Sequence, residues 1–403
     1  MNVTITPSTA RGRITAPPSK SMAHRLLIAG ALSPESEIRN LAWSEDIKAT
    51  LSCLQALGAQ VKTDGNTVRI GGLSPAAIQS KETLYCRESG STLRFLIPLC
   101  LLSSAPITLT GEERLMQRPL GVYSDLCAQN GLRFEQEGNV LTVCGPLVGG
   151  NFTVPGDISS QFITGLLFAL PLAEQDSIIR IVGNTESRPY IDLTLKTLTD
   201  FGVILYGMDN SLLIPGRQTY RARTLTVEGD WSNAAFLEAF NLFDGEVTVD
   251  GLDEYSPQGD RVYRDLFAQL DGNDTRPIDL SDCPDLAPIL FAVAAAKNGG
   301  EFVGTARLKI KESDRAVAMQ TQLQKFGIAV TVQDDRVIVH KGTLRTPNAP
   351  LDAHNDHRIA MALSVLCSLV GGEIVGAEAV AKSYPAFFDD IRKLGIEAQK
   401  RDF

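Results

Sequence analysis

The stretch Pro17-Pro18-Ser19-Lys20-Ser21-Met22-Ala23-His24-Arg25 sets two hydroxyls, a lysine and, about a turn later, an arginine at the head of Leu26-Leu27-Ile28-Ala29-Gly30-Ala31-Leu32. The paired prolines end the preceding extended segment, and Ser19 is a natural N-cap. The residues after it show an apolar face with small residues opposite, which predicts a helix. Such a helix start offers free amides, the positive end of the dipole and a cation to a phosphate or carboxylate. The same residues also read as an ordinary capped helix with a solvated Lys20 and Arg25, and by themselves they leave both readings open.

Other stretches repeat the device. Arg94 closes Glu88-Ser89-Gly90-Ser91-Thr92-Leu93-Arg94, a glycine-containing turn where backbone amides can approach an anion. Arg114 and Arg118 stand in a polar loop, and Ser159-Ser160-Gln161 puts three neutral hydrogen-bonding groups at a helix start. Lys311-Glu312-Ser313-Asp314-Arg315 opens another helix, and Asp356-His357-Arg358 precedes the apolar run Ile359–Leu369. Each has a bland alternative, a solvated loop or a surface helix start. No set of His, Cys, Asp and Glu has metal-ligand spacing, and neither a Walker loop nor a dinucleotide glycine fingerprint occurs.

The elements that must position these groups recur. Ser21, Ser91, Ser160, Ser232, Asp285 and His357 mark comparable small-polar turns at spacings of 70, 69, 72, 53 and 72 residues. This is a six-fold internal repeat with one shortened copy, the signature of an array of one supersecondary unit. Hairpin turns at Gly65-Asn66, Gly138-Asn139, Asp209-Asn210 and Asp334-Asp335 give each copy the order βαβαββ. Six copies divide most simply into two domains of three. The expected partition is residues 1–15 with 229–403 as one discontinuous domain and 16–228 as an inserted one, with hinges near 15–20 and 227–231.

A chain of 403 residues is too long for one compact core, which agrees with two domains. Its net charge of −9 argues against a nucleic-acid surface, whereas the cations gathered in the repeat turns suit a small anion. Seven cysteines without regular spacing fit buried thiols in a reducing compartment. No apolar run reaches 18 residues and the chain opens on the alternating strand Val3-Thr4-Ile5, so neither a leader nor a membrane span is expected, and a cytoplasmic location is.

Nine motifs, in order along the chain, resemble the 5-enolpyruvylshikimate-3-phosphate synthase family of enolpyruvyl transferases. They are the Pro-Ser-Lys-Ser stretch ending at Arg25, the Ser-Gly-Ser-Thr stretch ending at Arg94, Gln117-Arg118-Pro119, Ser159-Ser160-Gln161, Ser187-Arg188-Pro189-Tyr190, Asp282-Cys283-Pro284-Asp285, Lys311 to Arg315, Asp356-His357-Arg358 and Ala381-Lys382-Ser383-Tyr384-Pro385. The resemblance covers essentially the whole chain. It implies an α/β fold, a two-domain inside-out α/β barrel with three βαβαββ repeats per domain, helices inward, sheets outward and the active site in the interdomain cleft.

The same resemblance implies transfer of the enolpyruvyl group of phosphoenolpyruvate to the 5-hydroxyl of shikimate 3-phosphate, with release of phosphate. Carried over residue by residue, Lys20, Ser21, Arg25, Ser159, Ser160, Gln161, Ser187, Tyr190, Asp285 and Lys311 would hold shikimate 3-phosphate. Lys20, Gly90, Arg118, Gln161, Arg315, Arg358 and Lys382 would hold phosphoenolpyruvate. The chemistry needs a proton delivered to C3 and one removed from the hydroxyl, and Glu312, Asp285 and Lys20 are the implied catalytic groups. No metal or organic cofactor is implied, the chain is expected to be a monomer, and glyphosate enters as a candidate inhibitor.

The chain departs from the common pattern in three places: Glu88-Ser89-Gly90-Ser91 stands for Asn-Ala-Gly-Thr, Phe95 for a proline, and Arg307 for an asparagine. They bear on the shape of the phosphoenolpyruvate side. The nearest rival is UDP-N-acetylglucosamine enolpyruvyl transferase, but that enzyme carries a cysteine where this chain has Glu113, and Lys-Asn where this chain has Lys20-Ser21. A non-catalytic anion-binding repeat protein is the other alternative, and it would not need Asp285 and Glu312 among the cations.

Overall fold

A computed structural model describes residues 1–401 except 76, 77, 81, 273 and 275, so the last two positions of the expected 229–403 segment lie outside the described residues. The chain divides into two compact units, Met1–Pro17 with Gly229–Phe403, and Pro18–Glu228. The first crossing falls between the two prolines. Ala16 donates to the Asp250 carbonyl and Asp230 to the Pro17 carbonyl, which ties residues up to Pro17 to the first of these units.

In the Pro18–Glu228 unit one copy reads strand Gly150–Pro155, helix Ser160–Ala169, strand Ser177–Val182, helix Arg188–Asp200 and the hairpin Tyr206–Met208 and Ser211–Ile214. The two single strands pair in parallel and the hairpin joins antiparallel, giving a four-stranded mixed sheet. The copy before it repeats this with Leu84–Tyr85, Gly90–Cys100, Ile107–Thr110, Gly121–Gln129, Arg133–Glu137 and Val140–Cys144. The first copy lacks its own leading strand. Thr224–Thr226, at the far end of the unit, takes that place and runs parallel to Ser36–Arg39.

The first helix of each copy is central. Lys20–Leu32 is buried from Met22 through Leu32, Gly90–Cys100 and Ser160–Ala169 almost throughout, and all join one core. The second helix of a copy is one-sided: Arg188–Asp200 buries Ile191, Leu193, Thr194, Thr197 and Leu198 and exposes Arg188, Lys196 and Thr199. The small residues after Arg25 are therefore not a solvent face. Gly30 lies where a Cβ would meet Ile70 at 2.9 Å, because the helix is packed against a sheet there as well. Gly165 permits the approach of two central helices, since a Cβ would meet the Tyr123 hydroxyl at 2.3 Å and the Arg94 carbonyl at 2.5 Å.

The other unit follows the same plan with two substitutions. Asn2–Ile5, the N-terminal strand, fills the third place in the sheet Leu351–Asp352, Gly372–Val375, Asn2–Ile5, Ala398–Arg401, pairing antiparallel on both sides. The middle sheet, Ile278–Asp279, Gly300–Val303, Arg336–Val339 and Val330–Val332, is complete. The copy that begins at Trp231–Glu238 is the short one. Among the described residues its strand Glu246–Asp250 pairs only with Arg11–Thr15, and no hairpin follows the helix Tyr263–Asp271. The missing hairpin accounts for the 53-residue spacing.

Candidate active site

The recurring turns are helix caps. The side chains of Ser19, Ser89, Ser159, Asp230 and Asp356 accept hydrogen bonds from the amides of Met22, Thr92, Gln161, Asn233 and Arg358. The Asp285 turn is built differently, as the 3-10 segment Pro284–Leu286 leading into Ala287–Ala296 without a side-chain cap.

In the Pro18–Glu228 unit Lys20 donates to Asp46 at 2.8 Å, both partners being largely buried. Asp46 lies in the first turn of Glu45–Ala56, a helix capped by Ser44. Arg25 spreads its guanidinium over the protein itself: Nε to Thr194 Oγ1 at 2.9 Å, Nη1 to the Ser21 carbonyl at 2.7 Å and Nη2 to the Tyr190 carbonyl at 2.8 Å. Burial pulls its pKa down to about 10, with Tyr190 opposing. Arg25 therefore locks the backbone of Ser21 and Tyr190, two residues expected at the same ligand. The neighbouring Ser187 adopts a left-handed conformation (φ 56°) at the head of the Arg188–Asp200 helix.

A second group of the same unit gathers on Gly90. Arg94 donates to Gln161 Oε1 at 2.7 Å and to the Pro119 carbonyl at 3.2 Å, and Gln161 donates to Ser91 Oγ at 3.1 Å. A Cβ at Gly90 would stand 2.9 Å from Arg118 Nη1, 3.5 Å from Arg94 Nη1 and 3.6 Å from Gln161 Oε1. The structure thus brings Gly90, Arg118 and Gln161 together, with Arg94 among them. Ser159 and Ser160 sit at the cap and first residue of the Gln161 helix.

In the Gly229–Phe403 unit the centre is Asp285. Its Oδ1 accepts from Arg315 at 2.8 Å and Lys311 at 3.4 Å, and its Oδ2 from Arg358 at 2.8 Å. Burial alone would raise the carboxyl pKa, but Arg358, Lys311 and Arg315 outweigh it and hold the group well below the usual range. Burial, with Arg315 and Arg307 adding to it, lowers Lys311 despite the opposing Asp285 and Glu312. Arg315 is 1% exposed and bridges three carboxylates: Asp285, Glu312 at 2.8 Å and Asp356 at 2.9 Å. Lys382 donates to the Asn355 carbonyl at 2.5 Å.

Asp46 stands in none of the sequence motifs and Asp356 carries no expected role within its own, yet they anchor Lys20 and Arg315. Their signal was an acidic residue in the first turn or at the cap of a helix, a position that ordinarily serves the dipole alone. Of the departures, Phe95 is a core residue, its ring 5.3 Å beneath the Arg25 guanidinium and edge-on to His24. Arg307 donates to the Ser281 carbonyl at 2.6 Å. Among the described residues no cluster of three or more His, Cys, Asp or Glu could hold a metal ion.

Two sets of copies on the βαβαββ plan, one copy without its hairpin, with cations and carboxylates gathered at the starts of buried helices, define a two-unit α/β protein of the enolpyruvyl transferase type. The model of the EPSP synthase (3-phosphoshikimate 1-carboxyvinyltransferase) family matches residues 5–391, and the chain belongs to that family. It is 41% identical to the 3-phosphoshikimate 1-carboxyvinyltransferase of Clostridium kluyveri, over 98% of this chain and 97% of that one. The protein of the same name from Clostridium acetobutylicum is 39% identical over the same shares. An EPSP synthase structure from Acinetobacter baumannii superposes with a TM-score of 0.80 over 99% of this chain and 100% of its own; at 22% identity this likeness bears on the fold.

Proposed function

We propose that this protein is a 3-phosphoshikimate 1-carboxyvinyltransferase, moving the enolpyruvyl group of phosphoenolpyruvate to the 5-hydroxyl of shikimate 3-phosphate. Full-length identity near 40% to proteins of that name supports the activity. The observation that carries it beyond anion binding is the Asp285 cluster, a carboxylate kept ionised by three cations beside a second carboxylate, Glu312. A site that only bound anions would gain nothing from two carboxylates among its cations.

In the proposed reaction Asp285 takes the proton of the 5-hydroxyl as its oxygen bonds to C2 of phosphoenolpyruvate, and Glu312 delivers a proton to C3. The tetrahedral intermediate carries carboxylate and phosphate together. It then loses phosphate with a C3 proton, which returns to Glu312, and the enolpyruvyl ether remains. Lys20 is assigned to protonate the leaving phosphate. Lys20, Gly90, Arg118, Gln161, Arg315, Arg358 and Lys382 are assigned to phosphoenolpyruvate, with Arg315 acting through its hold on the carboxylates as well as its charge. Lys20, Ser21, Arg25, Ser159, Ser160, Gln161, Ser187, Tyr190, Asp285 and Lys311 are assigned to shikimate 3-phosphate. Glyphosate, an anion with phosphonate and carboxylate ends, is assigned to the phosphoenolpyruvate groups, and the protein is proposed to act as a cytoplasmic monomer.

The test is phosphate release by purified protein. Release is expected only when both substrates are present, and release from phosphoenolpyruvate alone, or none with the pair, would overturn the assignment.

A further inference from the structure

We propose that the side chains of His24, Thr50, Thr92 and Ser89 form a positioning relay that sets the Gly90 turn against the Lys20 helix; the inference rests on the reading above, in which Lys20 and Gly90 both meet phosphoenolpyruvate. His24 Nδ1 lies 2.7 Å from Thr50 Oγ1, Thr50 Oγ1 lies 2.6 Å from Thr92 Oγ1, and the Thr92 hydroxyl donates to Ser89 Oγ at 2.7 Å. All four residues are at most 1% exposed.

The direction of the chain follows from proton counting. A hydroxyl has one proton to give. Thr92 gives its proton to Ser89, so Thr50 must give its own to Thr92, and His24 must donate Nδ1–H to Thr50. The imidazole is then the neutral Nδ1–H tautomer. Its Nε2 is buried with no hydrogen-bond partner among the described residues, so a proton added there would be a buried donor without an acceptor. Burial, reinforced by Lys20 and Arg25, pushes the ring the same way, well below its ordinary pKa.

The relay also has a mechanical sense. His24 follows Lys20 by one turn and Thr50 follows Asp46 by one turn, so Lys20–Asp46 and His24–Thr50 are successive rungs between the same two helices. Thr92 and Ser89 carry the second rung onward to the cap of the Gly90–Cys100 helix, where Ser89 also accepts the Thr92 amide at 3.2 Å. Valine has the shape of threonine, so packing alone would not call for hydroxyls at 50 and 92 inside an apolar core. With Arg118 Nη1 only 2.9 Å from where a Gly90 Cβ would sit, a small displacement of that turn changes the anion seat.

The test uses the full chain with Thr50→Val, Thr92→Val and the double variant. The KM for phosphoenolpyruvate is expected to rise about five- to tenfold, as for loss of one net hydrogen bond, with the KM for shikimate 3-phosphate little changed. The double variant should be no worse than Thr92→Val, because a chain cut twice is one cut chain. Thr92→Ser, which keeps the hydroxyl, should restore the wild-type value. An unchanged KM in a folded Thr92→Val, an equal rise in both KM values with a lowered melting temperature, or failure of Thr92→Ser to restore would each overturn the relay. Nitrogen-15 NMR of histidine-labelled wild-type protein tests it without activity. The His24 proton is expected on Nδ1 at neutral pH, and a proton on Nε2 would overturn the relay, whereas absent phosphate release overturns the functional reading instead.

Discussion

Asp285, Glu312 and Asp356 share the cation Arg315, and this sharing makes the site more than a basic patch. Glu312→Gln keeps the size and the hydrogen bond to Arg315 but cannot deliver a proton. Turnover should therefore fall about a hundred- to ten-thousand-fold, with shikimate 3-phosphate binding retained in calorimetry. Lost binding with kcat preserved would make Glu312 a structural partner of Arg315. His24 gives a pH prediction. Its folded pKa is depressed below the ordinary 6.5, so the unfolded chain takes up a proton that the folded one refuses. The stability it contributes is present above pH 6.5 and is lost as pH falls, at about 1.4 kcal/mol per pH unit while the folded ring stays neutral. Denaturant unfolding between pH 7 and 5 should show this slope in the wild type, and His24→Asn should flatten it by one proton.

The central helices explain why the residues assigned to the anions can be held so firmly. A helix buried on every side cannot shift without disturbing the elements packed against it. Gly165 is where this arrangement is tightest, with the Tyr123 hydroxyl and the Arg94 carbonyl inside van der Waals reach of an added methyl. Gly165→Ala should destabilise the protein by about 1–3 kcal/mol through forced separation of the Gly90–Cys100 and Ser160–Ala169 helices. A lowered urea midpoint with an unchanged slope checks it, and an unchanged midpoint would mean that the helices part without cost. Since Arg94 and Gln161 ride on these helices, the KM for phosphoenolpyruvate should rise as well.

At the scale of the molecule, each unit holds part of the assigned shikimate 3-phosphate set: Lys20, Ser21, Arg25, Ser159, Ser160, Gln161, Ser187 and Tyr190 in one, Asp285 and Lys311 in the other. Saturating shikimate 3-phosphate should therefore slow amide hydrogen exchange both in the turn around Lys20 and in the segment 311–315. At a hundredfold excess over Kd the stabilisation reaches about 2.7 kcal/mol wherever exchange requires release. Protection confined to residues 18–228 would remove Asp285 and Lys311 from the ligand. The sequence by itself determined the repeat, its shortened fourth copy, the hairpins and the Ser19 cap, because these depend on local turn chemistry and on spacing along the chain. It also marked Lys20, Gly90, Asp285 and Arg358 through their motifs. Only the tertiary structure decided which helices are buried all round, since a small residue reads the same beside water as beside Ile70. The first strand was already expected with the C-terminal half, but only the structure revealed that Asn2–Ile5 pairs with Gly372–Val375 and Ala398–Arg401, and that Thr224–Thr226 completes the first sheet of its unit. The partners Asp46 for Lys20, Asp356 for Arg315 and Thr50 for His24 were likewise invisible. Each joins side chains 26 or 41 residues apart, and a hydrogen bond is set by distance in space, which no local pattern of residues encodes.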